Sequence, residues 1–119
     1  MPVHLDHTIV PAHDKEASAR WFADVMGLEY KGPWGHFAPV QIDDYLSLDF
    51  DDRDDFQSSH YAFIVSDPEF DDIFERVQDK KIVYGSGPRE LDDMHINHRH
   101  QGRGFYFRDP NGHVLEVIT

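Results

Sequence analysis

The chain carries one structural plan twice, and the repeat restricts the fold more than any other feature. His7 stands in a short strand-like run, Val3-His4-Leu5-Asp6-His7-Thr8-Ile9-Val10, and a helix start at Asp14 follows seven residues later. His60 stands in a second run, Ser59-His60-Tyr61-Ala62-Phe63-Ile64-Val65, and Asp67 opens a helix at the same interval. The two histidines are 53 residues apart. Self-similarity at such a spacing marks a duplicated unit.

Each half continues in the same way. The spacing of Ala17, Trp21 and Val25, with Phe22 and Met26 beside them, predicts a helix from Asp14 to Met26 that Gly27 stops. In the second half Asp67 reads as the N-cap and Pro68 as the first helical residue, with Phe70, Ile73, Phe74 and Val77 forming an apolar stripe. Three strand candidates follow each helix: residues 28–31, 36–42 and 45–50 in the first half, and 82–84, 104–108 and 113–118 in the second. The last pair is joined by Asp109-Pro110-Asn111-Gly112, a turn sequence suited to positive φ. The expected class is therefore α+β: two tandem β-α-β-β-β modules, about 1–54 and 55–119, in a single domain. The second half is longer, chiefly in residues 85–103, which carry His95, His98, Arg99, His100 and Arg103. Long loops in compact domains are often binding loops.

Composition narrows the function. The chain has 119 residues, no cysteine and a formal net charge of −12. Thiolate metal sites and disulfides are excluded. The acidity disfavours nucleic acid, whose phosphates it repels. No apolar run has the length of a membrane span and no signal peptide is visible, so cytoplasm is the expected compartment. The Asp-rich clusters read first as a solvated surface, and alternatively as attraction for a cationic ligand.

Strand periodicity selects candidate ligands. Tyr61, Phe63 and Val65 suit the helix-covered face of their strand, which places His60, Ala62 and Ile64 on the other. In the last strand Leu115 and Val117 suit the covered face and Glu116 the open one. His7 matches His60, and Asp49 matches Glu116, with Leu46, Leu48 and Phe50 on the helix side. Polar side chains amid apolar strands are costly unless something pairs with them. His7, His60 and Glu116 are the expected metal ligands: two imidazoles and a carboxylate leave open positions on an ion such as Fe(II), Mn(II), Ni(II) or Zn(II). Asp49 is a candidate fourth ligand or general base.

These features, with the ending Tyr106-Phe107-Arg108-Asp109-Pro110-Asn111-Gly112-His113-Val114-Leu115-Glu116, resemble the vicinal oxygen chelate superfamily over essentially the whole chain. That group includes glyoxalase I, extradiol dioxygenases, fosfomycin-resistance transferases and bleomycin-resistance proteins. The resemblance implies a curved mixed-sheet cleft with helices outside, and a homodimer in which His7 of one subunit joins His60 and Glu116 of the other. It implies a divalent-metal-dependent enzyme of glyoxalase/dioxygenase type acting on a small oxygen-bearing substrate that chelates the ion. Tyr106 has a family position facing the cleft, where its phenol would stabilise a developing oxyanion. Arg99 and Arg103 are candidate clamps for an anionic substrate; His98, in the histidine-rich loop, and Trp34 are further candidate substrate contacts. The matching stretch Met94-His95-Ile96-Asn97-His98-Arg99-His100 lacks the lysine and serine of the fosfomycin enzymes' phosphonate loop. The alternative is a metal-free dimeric protein that sequesters a cationic drug, as bleomycin-resistance proteins do.

Overall fold

A computed structural model of the chain describes residues 2–119. Two compact units divide it, Met1–Phe56 and Gln57–Thr119. The first contains β1 (His7–Ala12), α1 (Lys15–Met26), β2 (Ala38–Gln41) and β3 (Ser47–Asp52). The second contains β4 (His60–Ile64), α2 (Asp67–Asp79), β5 (Tyr84–Gly85), β6 (Gly104–Arg108) and β7 (Val114–Ile118), with a 3-10 turn at Arg99–Gln101. Each sheet is mixed. In the first the strand order is β1-β3-β2, with β1 parallel and β2 antiparallel to β3. In the second it is β4-β7-β6-β5, with β4 parallel to β7 and the other neighbours antiparallel.

The first unit departs from the expected plan at residues 28–31, which form no strand. The Leu28 backbone and the Tyr30 side chain are tied back onto α1. The Leu28 amide donates to the Ala23 carbonyl at 2.8 Å, the Tyr30 hydroxyl donates to Glu16 at 3.1 Å, and Arg20 lies 4.9 Å over the Tyr30 ring. Tyr30 serves the helix, and the ladder begins only at β2. Gly27 ends α1 as expected, with φ 72° in the left-handed region. Asp14 caps its other end, accepting from the Ala17 amide at 3.1 Å.

The buried face of α1 is rotated from the expected stripe. Ser18, Ala19, Phe22, Ala23 and Val25 are buried, whereas Ala17 is exposed and Trp21 half-buried. Small residues let the helix lie close to the sheet, where Phe22 meets Phe50 with ring centroids 5.8 Å apart. On α2 the N-cap is Ser66, one residue ahead of the expected Asp67. Ser66 and Glu69 form a reciprocal capping box, which moves Pro68 to the second helical position. Phe70, Ile73 and Val77 face the core as expected. Phe70 packs edge-on against Phe105 at 5.3 Å, and Phe74 against Tyr84 at 5.1 Å.

Both helices therefore cover one face of their own sheet. The opposite face of each central strand alternates outward: His60, Ala62 and Ile64 on β4 are exposed, while Leu115 and Val117 on β7 are buried on either side of Glu116. The β6–β7 turn is held by Asp109, which accepts from the amides of Asn111 and His113 at 2.9 Å each. His113 is fully buried, and its Nδ1 accepts from the Ser59 amide at 3.0 Å. It supports the turn and takes no part in an open site.

Candidate metal centre

The two parallel strand pairs place their polar residues in equivalent register. In the second unit Glu116 pairs with Ala62, two residues beyond His60; in the first, Asp49 pairs with Ile9, two residues beyond His7. A two-residue step keeps both side chains on one face of the sheet. The duplication thus sets one histidine and one carboxylate on the same sheet face in each unit.

In the second unit they meet. His60 Nε2 lies 3.0 Å from Glu116 Oε1, with the imidazole half-exposed and the carboxylate mostly covered. Adjacent nitrogen and oxygen ligands of one transition-metal ion, each bonded at roughly 2.0–2.2 Å, stand about 3 Å apart. The donor set at His60 and Glu116 therefore fits a shared ion. Tyr106, on β6 directly opposite Glu116, is only 4% exposed. Burial first, and then hydrogen bonding to Glu116, raise its pKa above the ordinary tyrosine value, with Arg99 opposing. Arg99 Nη1 donates to the Tyr106 hydroxyl at 3.1 Å, and Nη2 donates to the Ser86 carbonyl at 3.3 Å.

A pocket of about 410 Å³ opens beside this group, its wall including Ile64, Asn97, Arg99, His100, Tyr106 and Glu116. Arg103 also lines it, but its guanidinium is held elsewhere: it donates to Asp71 at 2.7 Å and to Asp67 at 3.0 Å, and lies 4.2 Å over Phe70. Its charge is answered by α2, whereas Arg99 spends its fork on neutral acceptors. His98 is exposed and outside the pocket wall, and the neighbouring His100 takes that place. His100 and Gln101 adopt positive φ, 54° and 64°, so this turn is a shaped piece of backbone rather than a slack loop. Alternation along the strands was the signal for Ile64. Asn97 and His100 had no signal in spacing, because their position depends on an irregular chain path. Asn97 is fixed by its bridge to Gly104 and by its side-chain donation to the Ser86 carbonyl at 3.0 Å.

In the first unit the equivalent pair stays apart. Asp49 accepts from the Ser47 hydroxyl at 2.6 Å, and His7 Nδ1 pairs with Asp6 at 2.8 Å. That Asp6 hydrogen bond raises the His7 pKa above its ordinary value. Both line a pocket of about 380 Å³ with Asp6, Trp34, Phe37, Pro39 and Ser47, and Trp34 is 76% exposed there. Asp6 and Ser47 were missed in the sequence, although Ser47 stands opposite His7 in the β1–β3 register. The remaining histidines lie outside both pockets: His36 approaches Asp51 at 3.3 Å, and His4 stacks on Tyr45 at 3.7 Å. Among the described residues, no group of three or more His, Asp or Glu side chains gathers closely enough to hold an ion.

Two solved oxidases resemble the chain closely. ChaP-H2 is 49% identical with a TM-score of 0.95, covering 100% of this chain and 94% of that one. ChaP-H1 is 44% identical with a TM-score of 0.94, covering 99% and 96%. Among curated proteins, the glutathione transferase FosA of Serratia marcescens is 23% identical over 95% of this chain and 78% of its own length. The metallothiol transferase FosB of Lysinibacillus sphaericus (strain C3-41) is 26% identical over 97% and 81%.

The chain belongs to the vicinal oxygen chelate superfamily.

No family model matches the sequence. The superfamily's duplicated module accounts for the equivalent register of His7 with Asp49 and of His60 with Glu116. No helix among the described residues is long and apolar enough to cross a membrane.

Proposed function

We propose that this protein is a divalent-metal-dependent oxidase of the vicinal oxygen chelate type. The pocket walled by Glu116, Tyr106 and Arg99 would hold a small oxygen-bearing substrate beside the ion. The observation that carries the reading is the 3.0 Å approach of His60 Nε2 to Glu116 Oε1 on the open face of the second sheet. His60 and Glu116 would hold the ion together with a third ligand, His7, supplied by a second copy of the chain. When bound, the ion supplies Lewis acidity and a place for oxygen or substrate oxygens, and iron or manganese would suit the redox form of the reaction. The likeness to two oxidases at 49% and 44% identity favours redox chemistry over the thiol transfer of FosA and FosB.

The chain's own groups do the rest. Arg99, whose fork rests on neutral partners, offers a cation to a substrate carboxylate or phenolate. Ile64 and Ile118 give the pocket an apolar side suited to a ring or alkyl portion. Asp49, its carboxylate held by Ser47, is the first unit's candidate acid or base. Trp34 forms an apolar wall of the first unit's pocket.

The test is elemental analysis of protein purified without added metal, followed by oxygen-uptake measurements on iron-loaded protein with catechols and hydroxyketones. The wild type is expected to carry one ion per chain. His60→Ala should lose it, and Glu116→Asp should weaken it at least tenfold, because the shortened side chain gives up the contact with His60. Metal-free wild type that cannot be loaded would overturn the reading. A second reading is favoured by one feature: the first unit's pocket combines Asp6 and Asp49 with Trp34 and Phe37, a setting suited to a cationic guest. Tight binding of a basic glycopeptide by metal-free protein would support sequestration in its place.

A further inference from the structure

We propose that Tyr106 is a positioning residue for the Glu116 carboxylate, steadied from behind by Arg99, and that the pair sets how tightly the site holds a divalent ion. The inference rests on the metal reading above. A phenol has a single proton to donate and lone pairs with which to accept. At Tyr106 the accepting side is taken by Arg99 Nη1 at 3.1 Å. Glu116 stands directly opposite across the β6–β7 ladder, and both side chains line the same pocket. With its accepting side engaged by Arg99, the phenol has its proton left to offer the carboxylate it faces. Glu116 thus lies between two groups on its sheet face: His60, 3.0 Å from Oε1, and Tyr106 on the neighbouring strand.

The support extends beyond the tyrosine. Arg99 Nη2 donates to the Ser86 carbonyl, which also accepts from Asn97 Nδ2 at 3.0 Å. A line of hydrogen bonds thus runs from Ser86 and Asn97 through Arg99 to Tyr106, which faces the His60–Glu116 pair. Tyr106 sits in a buried strand position where its ring has little freedom. This role differs from direct oxyanion stabilisation, for which the phenol would turn its proton to the substrate rather than to the carboxylate. Groups that orient a ligating carboxylate matter to affinity: removing one typically weakens metal binding by about 10–100-fold.

Metal-free full-length protein titrated with Co²⁺, followed by visible absorption and by competition with a chelator, tests the assignment. The panel is wild type, Tyr106→Phe, Arg99→Met and the double variant. Tyr106→Phe keeps the ring and should bind Co²⁺ about tenfold more weakly, with a changed visible spectrum and an unaltered melting temperature of the metal-free protein. Arg99→Met should weaken binding by a smaller factor. The double variant should be no weaker than Tyr106→Phe alone, because Arg99 acts through the phenol. A folded Tyr106→Phe protein with wild-type affinity and spectrum overturns the proposal, and additive losses in the double variant overturn the part given to Arg99. Should Tyr106→Phe fail to fold, Arg99→Met carries the test on its exposed loop, and unchanged Co²⁺ affinity there is the refuting result. Wild type that takes up no Co²⁺ overturns the metal reading itself, a separate outcome.

Discussion

Glu116 and Asp49 occupy equivalent register positions, yet only Glu116 touches its histidine. The extra methylene of glutamate and the absence of a serine neighbour separate the two outcomes. Asp49 is shorter and its Oδ1 is engaged by Ser47. The alternation of apolar residues made the faces of both carboxylates legible in the sequence. Their contacts were not legible, because they depend on side-chain length and on Ser47 and Asp6, polar residues with no periodic signature. Asp93 is a carboxylate of a different kind. Donation from the Ser86 hydroxyl, then from the His95 and Ser86 amides, holds its pKa below the ordinary 3.8. A depressed carboxylate pKa contributes stability that is present above the unfolded-state value and lost as pH falls through the folded-state value. Asp93→Asn is therefore expected to melt below wild type at pH 6, and the gap should close as both are acidified below 3.8. Thermal melts of the two proteins across that range check the sign; a gap that stays constant with pH would contradict it.

At the scale of elements, the helices and the β6–β7 hairpin were readable because each rests on local rules. Gly27 in the left-handed region ends α1, and Asp109 with Gly112 at φ 86° forms the turn. The start of α2 was displaced by one residue, since Ser66 and Asp67 are both good caps and only the reciprocal partner Glu69 decides between them. The strand expected at 28–31 failed for a tertiary reason: Tyr30 found Glu16 and Arg20 on α1. The path of residues 85–103 was not readable at all, as it is set by side-chain anchors such as Asp93 and Asn97 rather than by period. The cap makes a direct prediction. Ser66→Ala removes the acceptor for the Glu69 amide and the hydroxyl that holds the Glu69 carboxylate. It should destabilise the protein by about 1 kcal/mol, a typical N-cap loss. Ser66→Asp, which restores an acceptor, should recover most of that in urea melts. If the alanine variant is as stable as wild type, α2 is held by Phe70 and its neighbours alone.

For the whole molecule, the duplication distributes the donor set: His7 with Asp49 in one unit, His60 with Glu116 in the other. No three such side chains gather among the described residues, and the homodimer expected for this superfamily would complete the set with His7 from a second chain. An isologous dimer then holds two sites, each drawing on both subunits. His7→Ala and His60→Ala are each expected to abolish metal binding when pure. Unfolded together in equal amounts and refolded, they should regain about a quarter of the wild-type metal content, because random pairing makes half of the dimers mixed and each mixed dimer keeps one of its two sites. A set completed inside one chain predicts no recovery, since every chain in the mixture lacks one ligand. Metal analysis of the refolded dimer fraction separates the two arrangements, and zero recovery alongside full refolding of the wild-type control would rule out sharing.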